Sequence, residues 1–303
     1  MAAVKSKSRS FVITDALYLS IAAAPVIFGI ILKVLTGPGN RGISITGARV
    51  FFTVDFPVQP LVITETQINS WLVIITILGL CLYLTHGLNA AHPTKRQHVA
   101  EWIVEKTRAM TSVNMGEGFD SFPPFIAAII SLSAFSSLLS LFGLYAPTSD
   151  INVTAGWALG TFILITYYKN KCGPFHYLKS FGDPVPLLAP LNVISEFATP
   201  VSMAFRHYGN VLSGSVISVL VAAGLDGLWK IILGWLPGPV SDFALIRIGI
   251  PAILSVYFDL FSGCLQAYIF AMLTMLYISS GFPREDYKKL KEKKRTQLIR
   301  RKQ

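Results

Sequence analysis

Around Arg206 the sequence reads PVSMAFRHYGNVLSG, a run otherwise apolar enough to lie inside a bilayer. A guanidinium does not give up its proton at any ordinary pH, and at mid-bilayer depth it costs several kcal/mol, so a residue kept there is a functional candidate by default. On a helix Arg206 and Asn210 are i, i+4, with Ser202 four residues before the arginine and Ser213 seven after it. One stripe therefore carries a cation among hydrogen-bonding groups. In the last apolar segment Asp259 and Gln266 are seven apart, again one helical face, and Glu196 precedes Arg206 by ten residues. Such a set does electrostatics: a fixed cation can hold or discharge a carboxylate, and a partly desolvated carboxyl can exchange a proton. The bland alternative is an ion pair of Arg206 with Asp259 or Glu196 that holds the bundle together, although buried pairs add little net stability.

The elements that position these groups are membrane helices. Of the 303 residues 52% are hydrophobic and 14% charged, and the mean hydropathy is +0.56, outside the soluble globular range. No charge falls between Glu65 and Lys95 or between Asp120 and Asp150, each gap longer than the roughly 20 residues that span a bilayer. Six apolar segments are expected, near 11–36, 67–88, 122–146, 151–168, 187–224 and 244–281. The fold class is an all-α integral membrane protein of six hydrophobic helices plus an amphipathic one. The last two apolar runs, Leu191–Gly224 and Ala252–Gly281, exceed the bilayer as upright helices and must tilt strongly or bend, with Pro200 available for some bend. Residues 89–112, where Val99, Trp102, Ile103 and Val104 alternate with charges, read as a helix on the membrane surface.

The net charge of +10 reflects basic residues beside apolar spans, so no nucleic-acid partner is implied. With both termini inside, 20 of the 26 Lys and Arg lie on the inner side, ten of them in the tail from Arg284 to Lys302. The first segment is too long for a secretory signal and carries Asp15 and Pro25, so it reads as a retained helix. Cys81, Cys172 and Cys264 make no metal or disulfide pattern. His86, His92 and His98 recur every six residues, which is not a helical ligand spacing, and read as surface histidines. No phosphate-binding loop, nucleophile elbow or zincin signature is present, and no cofactor or metal is expected.

PVSMAFRHYGNVLSG together with LQAYIFAMLTMLYIS closely resembles subunit a of F-type ATP synthases, and TETQINSWLVIITILGLCLYLT and NVTAGWALGTF resemble two further helices of that family. The resemblance runs from about residue 50 to 281. It implies that Arg206 is the family's essential arginine, Asn210 its asparagine, and Gln266 the glutamine of the L-Q-A-[FY]-I-F pattern. Of the family's two further polar positions, one is Ser215, which cannot titrate, and the other is Asp259. Three regions are expected: 1–48, a tail and an extra transmembrane helix; 49–283, the membrane domain; and 284–303, a basic cytoplasmic tail.

The resemblance implies a non-catalytic, ion-conducting stator in a bacterial plasma membrane, with the c-ring, the subunit b peripheral stalk and the lipid bilayer as partners. Arg206 would act as counter-ion to the c-ring carboxyl groups and separate two half-channels, for protons or Na⁺. Asp259 would line the outer half-channel or pair with Arg206, and Glu196 joins the candidate ion-path residues. A secondary transporter with an arginine anion site is the alternative, but such folds carry a repeat in their halves and none is visible. A lipid-acting enzyme would need a carboxylate pair or histidine cluster converging on Arg206. Single cysteines placed in either tail of a Cys-free variant should both be shielded from an impermeant thiol reagent outside intact cells; labelling of either tail overturns the six-pass topology.

Overall fold

The computed structural model describes residues 2–36, 47–55, 57, 60–89, 93–116, 118–182, 185–233, 253–254 and 256–287. In chain order these form α1 (Ala2–Thr36), a hairpin of β1 (Val50–Val54) and β2 (Leu61–Thr64), α2 (Glu65–Thr85), α3 (Lys95–Met115) and α4 (Pro123–Leu138). There follow α5 (Ile151–Lys169), the short α6 (Pro174–Ser180), α7 (Ala189–Leu233), a π-helical segment Val256–Ser262, and α8 (Gly263–Gly281). Among the described residues six helices are long and apolar enough to cross a membrane. The all-α expectation holds for this body. The start of the last apolar run before Ile253, His92, and the basic tail from residue 288 lie outside the described residues.

Helix ends follow local chemistry. α3 begins at Thr94, whose side chain accepts from the Gln97 N–H at 3.4 Å, and α5 at Asp150, which accepts from the Asn152 N–H at 2.9 Å. α4 opens on Pro123 and Pro124, where no backbone donor is needed. Its helical course continues through a 3₁₀ turn, Leu139–Phe142, and stops at Gly143, whose φ of 72° is left-handed. The hairpin is an addition to the expected architecture: Val50 pairs with Thr64 and Val54 with Leu61, antiparallel. Its signal was present in VFFTV and LVIT, short β-branched and aromatic runs on either side of a proline-containing turn.

Packing uses small residues for close approach. A Cβ on Gly79 of α2 would stand 2.6 Å from the backbone nitrogen of Ala22 in α1, and one on Gly29 would meet Leu72 at 2.9 Å and Leu144 at 3.1 Å. Val26 and Ile30 of α1 pack on buried Val73, Leu139 and Leu144. The extra N-terminal helix is thus seated on α2 in one rotation. At its other end Asp15 accepts from Arg96 at 2.7 Å and lies 2.8 Å from His86 Nδ1, with Phe11 stacked on the His86 ring at 4.6 Å. His86 is therefore no free surface histidine: the acidic residue of the first helix draws it and Arg96 into one cluster. His98, in contrast, is exposed, 3.7 Å from Glu101. On α3 Val99, Trp102, Ile103 and Val104 are exposed, as an apolar face toward lipid requires.

α7 is longer than the apolar run alone implied. Its 45 residues span about 67 Å against a hydrocarbon core of about 30 Å. It cannot cross upright, and the helix continues through Pro200. Gly79→Leu should drive α1 off α2, because the added atoms meet backbone rather than a yielding side chain, at a cost of about 1–3 kcal/mol or more. Cysteines placed at 29 and 72 of an otherwise Cys-free chain should cross-link, and Gly79→Leu should lower that yield several-fold; an unchanged yield refutes the seating.

Candidate functional site

The inward face of α7 decides where Arg206 points. Met203, Ala204 and His207 are buried, the first two in a cluster with Ala158 of α5 and Phe270 of α8. His207 is fully enclosed: its Nε2 lies 3.2 Å from Ser133 Oγ of α4, and its ring meets Trp157 and Phe270 edge-on at 5.7 and 5.5 Å. Successive helical residues are about 100° apart. With His207 inward, Arg206 emerges on the open side beside Phe205 and Ser202, all exposed. Arg206 makes no hydrogen bond or ion pair with any described residue. The neighbouring Gly209 would have nothing within 4 Å of an added Cβ. Gly214 and Gly263 receive the side chains of Phe258 and Ser137, at 2.9 and 2.6 Å from an added Cβ.

Asn210 turns toward α8. Its amide donates to the Ser262 carbonyl at 3.3 Å and its oxygen accepts from the Ser262 hydroxyl at 2.9 Å. This reciprocal pair ties α7 to the end of the π-helical segment. Asp259 lies in that segment, whose i→i+5 bonding widens the turn. The extra width changes the phase between Asp259 and Gln266. Gln266 is buried, 5% exposed, whereas Asp259 opens with Ser215 into a cavity of about 450 Å³ that also meets Lys33, Arg49, Glu65 and Tyr145. The single helical face expected for the two residues is therefore divided. Burial holds the Tyr145 phenol above its ordinary range, so it stays a neutral donor, here to the Ser149 carbonyl at 3.2 Å.

Glu196 belongs to a separate place. Its Oε2 accepts from Lys169 at 2.5 Å and its Oε1 from the Tyr177 hydroxyl at 3.4 Å. Burial, and then the Glu196 carboxylate, push the Tyr177 phenol up. Two cavities of about 140 and 380 Å³ share Lys169, Glu196 and Thr199 as lining. Along α7, Glu196 stands about 15 Å before Arg206 and Ser215 about 14 Å after it. The exposed cation thus lies between two cavities that each hold charged groups, and neither Glu196 nor Asp259 pairs with it. His207, Ser262, Lys169 and Tyr177 went unread as site residues. For His207 the available signal was its spacing with Met203 and Gly214, which puts all three on one helical face.

A family model described as "ATP synthase A chain" matches residues 67–279. The chain belongs to that family. It is similar to ATP synthase subunit a 1 of Crocosphaera subtropica, 31% identical over 72% of this chain and 87% of the relative. It is likewise similar to ATP synthase subunit a of Bacillus pumilus, 33% identical over 67% of this chain and 86% of that one. A third relative, the subunit a of Propionigenium modestum named as sodium ion specific, is 28% identical over 74% of this chain and 76% of its own length. As a family member the chain is the non-catalytic, multi-pass membrane subunit of the F-type complex. α1 and the hairpin precede the family-matched residues.

Proposed function

We propose that this subunit a is the ion-conducting stator of its ATP synthase, with Arg206 facing a c-ring across the open side of α7. The observation that carries this reading is an exposed guanidinium with no partner among the described residues, placed along one helix between two cavities lined by charged groups. The cavity at Asp259 and Ser215 would be the outer half-channel and the one at Glu196 the inner. The first would deliver a proton or Na⁺ to a ring carboxyl; the second would receive it after nearly a full turn of the ring.

Arg206 suits the counter-ion role because it cannot be neutralised. A ring carboxyl arriving protonated must lose its ion to pass the cation, and the released ion has only one of the two cavities to leave by. Gly209 beside it leaves room for a ring helix to come close. Asn210, through its pair with Ser262, fixes α7 against the segment bearing Asp259. Gln266 stands on α8 near this seam. Each charge moved through 100 mV releases about 2.3 kcal/mol, available as torque on the ring. Subunit b would anchor the stator, with both termini cytoplasmic in a bacterial plasma membrane.

Arg206→Ala should leave insertion and assembly intact while abolishing ATP-driven ion pumping in membrane vesicles, because the side chain supports no described contact. Pumping at the wild-type rate sinks the counter-ion reading. Asp259→Asn should cut proton-driven ATP synthesis at least tenfold with the amount of assembled complex unchanged. A drop in assembled complex points instead to a structural Asp259, and normal synthesis removes Asp259 from the ion path.

A further inference from the structure

The cavity at Asp259 is bounded by a part of the chain that the family match does not reach. Lys33 of α1, Arg49 just before the hairpin and Glu65 at the first turn of α2 all line it, and all precede residue 67. The placement of Lys33 follows from helix packing. Ala22, Gly29 and Lys33 are spaced by seven and four residues, one face of α1, and the first two are the contact points with α2 and Leu144. The rotation that buries Ala22 and Gly29 therefore aims Lys33 over the end of α4. There its Nζ comes within 3.5 Å of an ideal Cβ on Gly143, the left-handed residue that ends the 3₁₀ turn. A smaller adjoining cavity shares Lys33, Arg49, Glu65 and Leu144 as lining and adds Gly29.

Lys33 has no hydrogen bond or ion pair with any described residue. A lysine near a helix end commonly extends to the membrane surface and merely anchors. That account does not explain the orientation toward the cavity. With the N-terminus inside, Lys33 also lies on the outer side, against the distribution of most basic residues in the chain. Lys33 is exposed there, and an ammonium facing a cavity favours the ionised form of a carboxyl that shares the space.

We propose that Lys33 is a positioning residue of the outer ion path: α1 brings an ammonium to the cavity that holds Asp259 and Glu65, and this charge sets the pH at which that cavity gives up protons. The proposal rests on the reading of the Asp259 cavity as a half-channel. The charged and titratable groups that line the cavity are Lys33 from α1, Arg49 and Glu65 from either side of the hairpin, Tyr145 from the loop after α4, and Asp259 from the π-helical segment. A guanidinium does not titrate in proteins and burial keeps the Tyr145 phenol neutral, so the Asp259 carboxyl is the group that the test follows.

The test uses the whole ATP synthase in vesicles, with synthesis driven at fixed voltage while the pH on the Asp259 side is varied. Lys33→Gln should raise the midpoint of that profile by about half a pH unit, less than the roughly 1–3 units of a direct ion contact, with ATP hydrolysis and subunit content unchanged. Lys33→Arg should keep the wild-type profile. In an Asp259→Asn background whatever synthesis remains should shift less on loss of Lys33. An unmoved profile in Lys33→Gln, with Asp259→Asn still impaired, overturns the role of Lys33 alone. Normal synthesis in Asp259→Asn removes Asp259 from the ion path, and with it the reading on which the role of Lys33 rests. If Lys33→Gln does not assemble, Lys33→Cys in a Cys-free chain can be modified after assembly. Aminoethyl methanethiosulfonate, which adds a cation, should restore the profile and neutral methyl methanethiosulfonate should not; equal profiles overturn the proposal.

Discussion

The rotation of α7 about its own axis is the constraint on which the rest depends. A helix in hydrocarbon gains little from apolar burial as such, since lipid is as apolar as leucine, so its rotation is set by close packing and by polar groups that find partners. Here His207 finds Ser133, Met203 and Ala204 meet Phe270 and Ala158, and Gly214 receives Phe258. These contacts fill one side of the helix and leave the other to the surroundings. Arg206 is exposed while its neighbour is fully enclosed, and a one-residue change of register would put the guanidinium in the enclosed place.

Polar groups are spread through the interior in the same way. Ser133, Ser136, Thr154, Thr161 and Thr274 are all buried, and Thr274 bonds the carbonyl one turn back in its own helix. Asn69 reaches from α2 to the Tyr145 carbonyl at 2.7 Å, fixing the loop that roofs the Asp259 cavity. Small hydroxyls and amides of this kind bring helices together without the cost of an unpaired charge. The charges that do enter the bundle stand in the cavities or in local clusters such as Asp15 with Arg96 and Lys169 with Glu196.

Much of this was legible in the residues, for reasons that differ from element to element. The spans declare themselves because uncharged runs longer than a bilayer have no other common use, and Arg206 because its cost inside such a run is large. Asp259 and Ser215 could be singled out by type, but their meeting in one cavity needs two helices brought together by Asn210 and Ser262. Glu196 was visible as an acidic residue on the same helix; its partner Lys169 lies 27 residues away, beyond any helical spacing. The division between Asp259 and Gln266 was invisible, because a seven-residue spacing implies one face only while the helix remains α. VFFTV and LVIT, five and four residues long, are too short to stand out between two apolar spans of twenty residues or more.

The π-helical segment makes chain length itself informative. In an α-helix a deletion turns everything on one side of it by about 100° relative to the other. Between Val256 and Ser262 the widened turn holds an additional residue. Removing one residue there would let the turn relax to α while the flanking helices keep nearly their present facing, so that only the residues of the widened turn are re-aimed. The carboxyl of Asp259 would leave its cavity although every side chain had been retained. Among relatives, a single-residue gap at this point would therefore mark a change in where the acidic group is presented, and it would do so without any substitution.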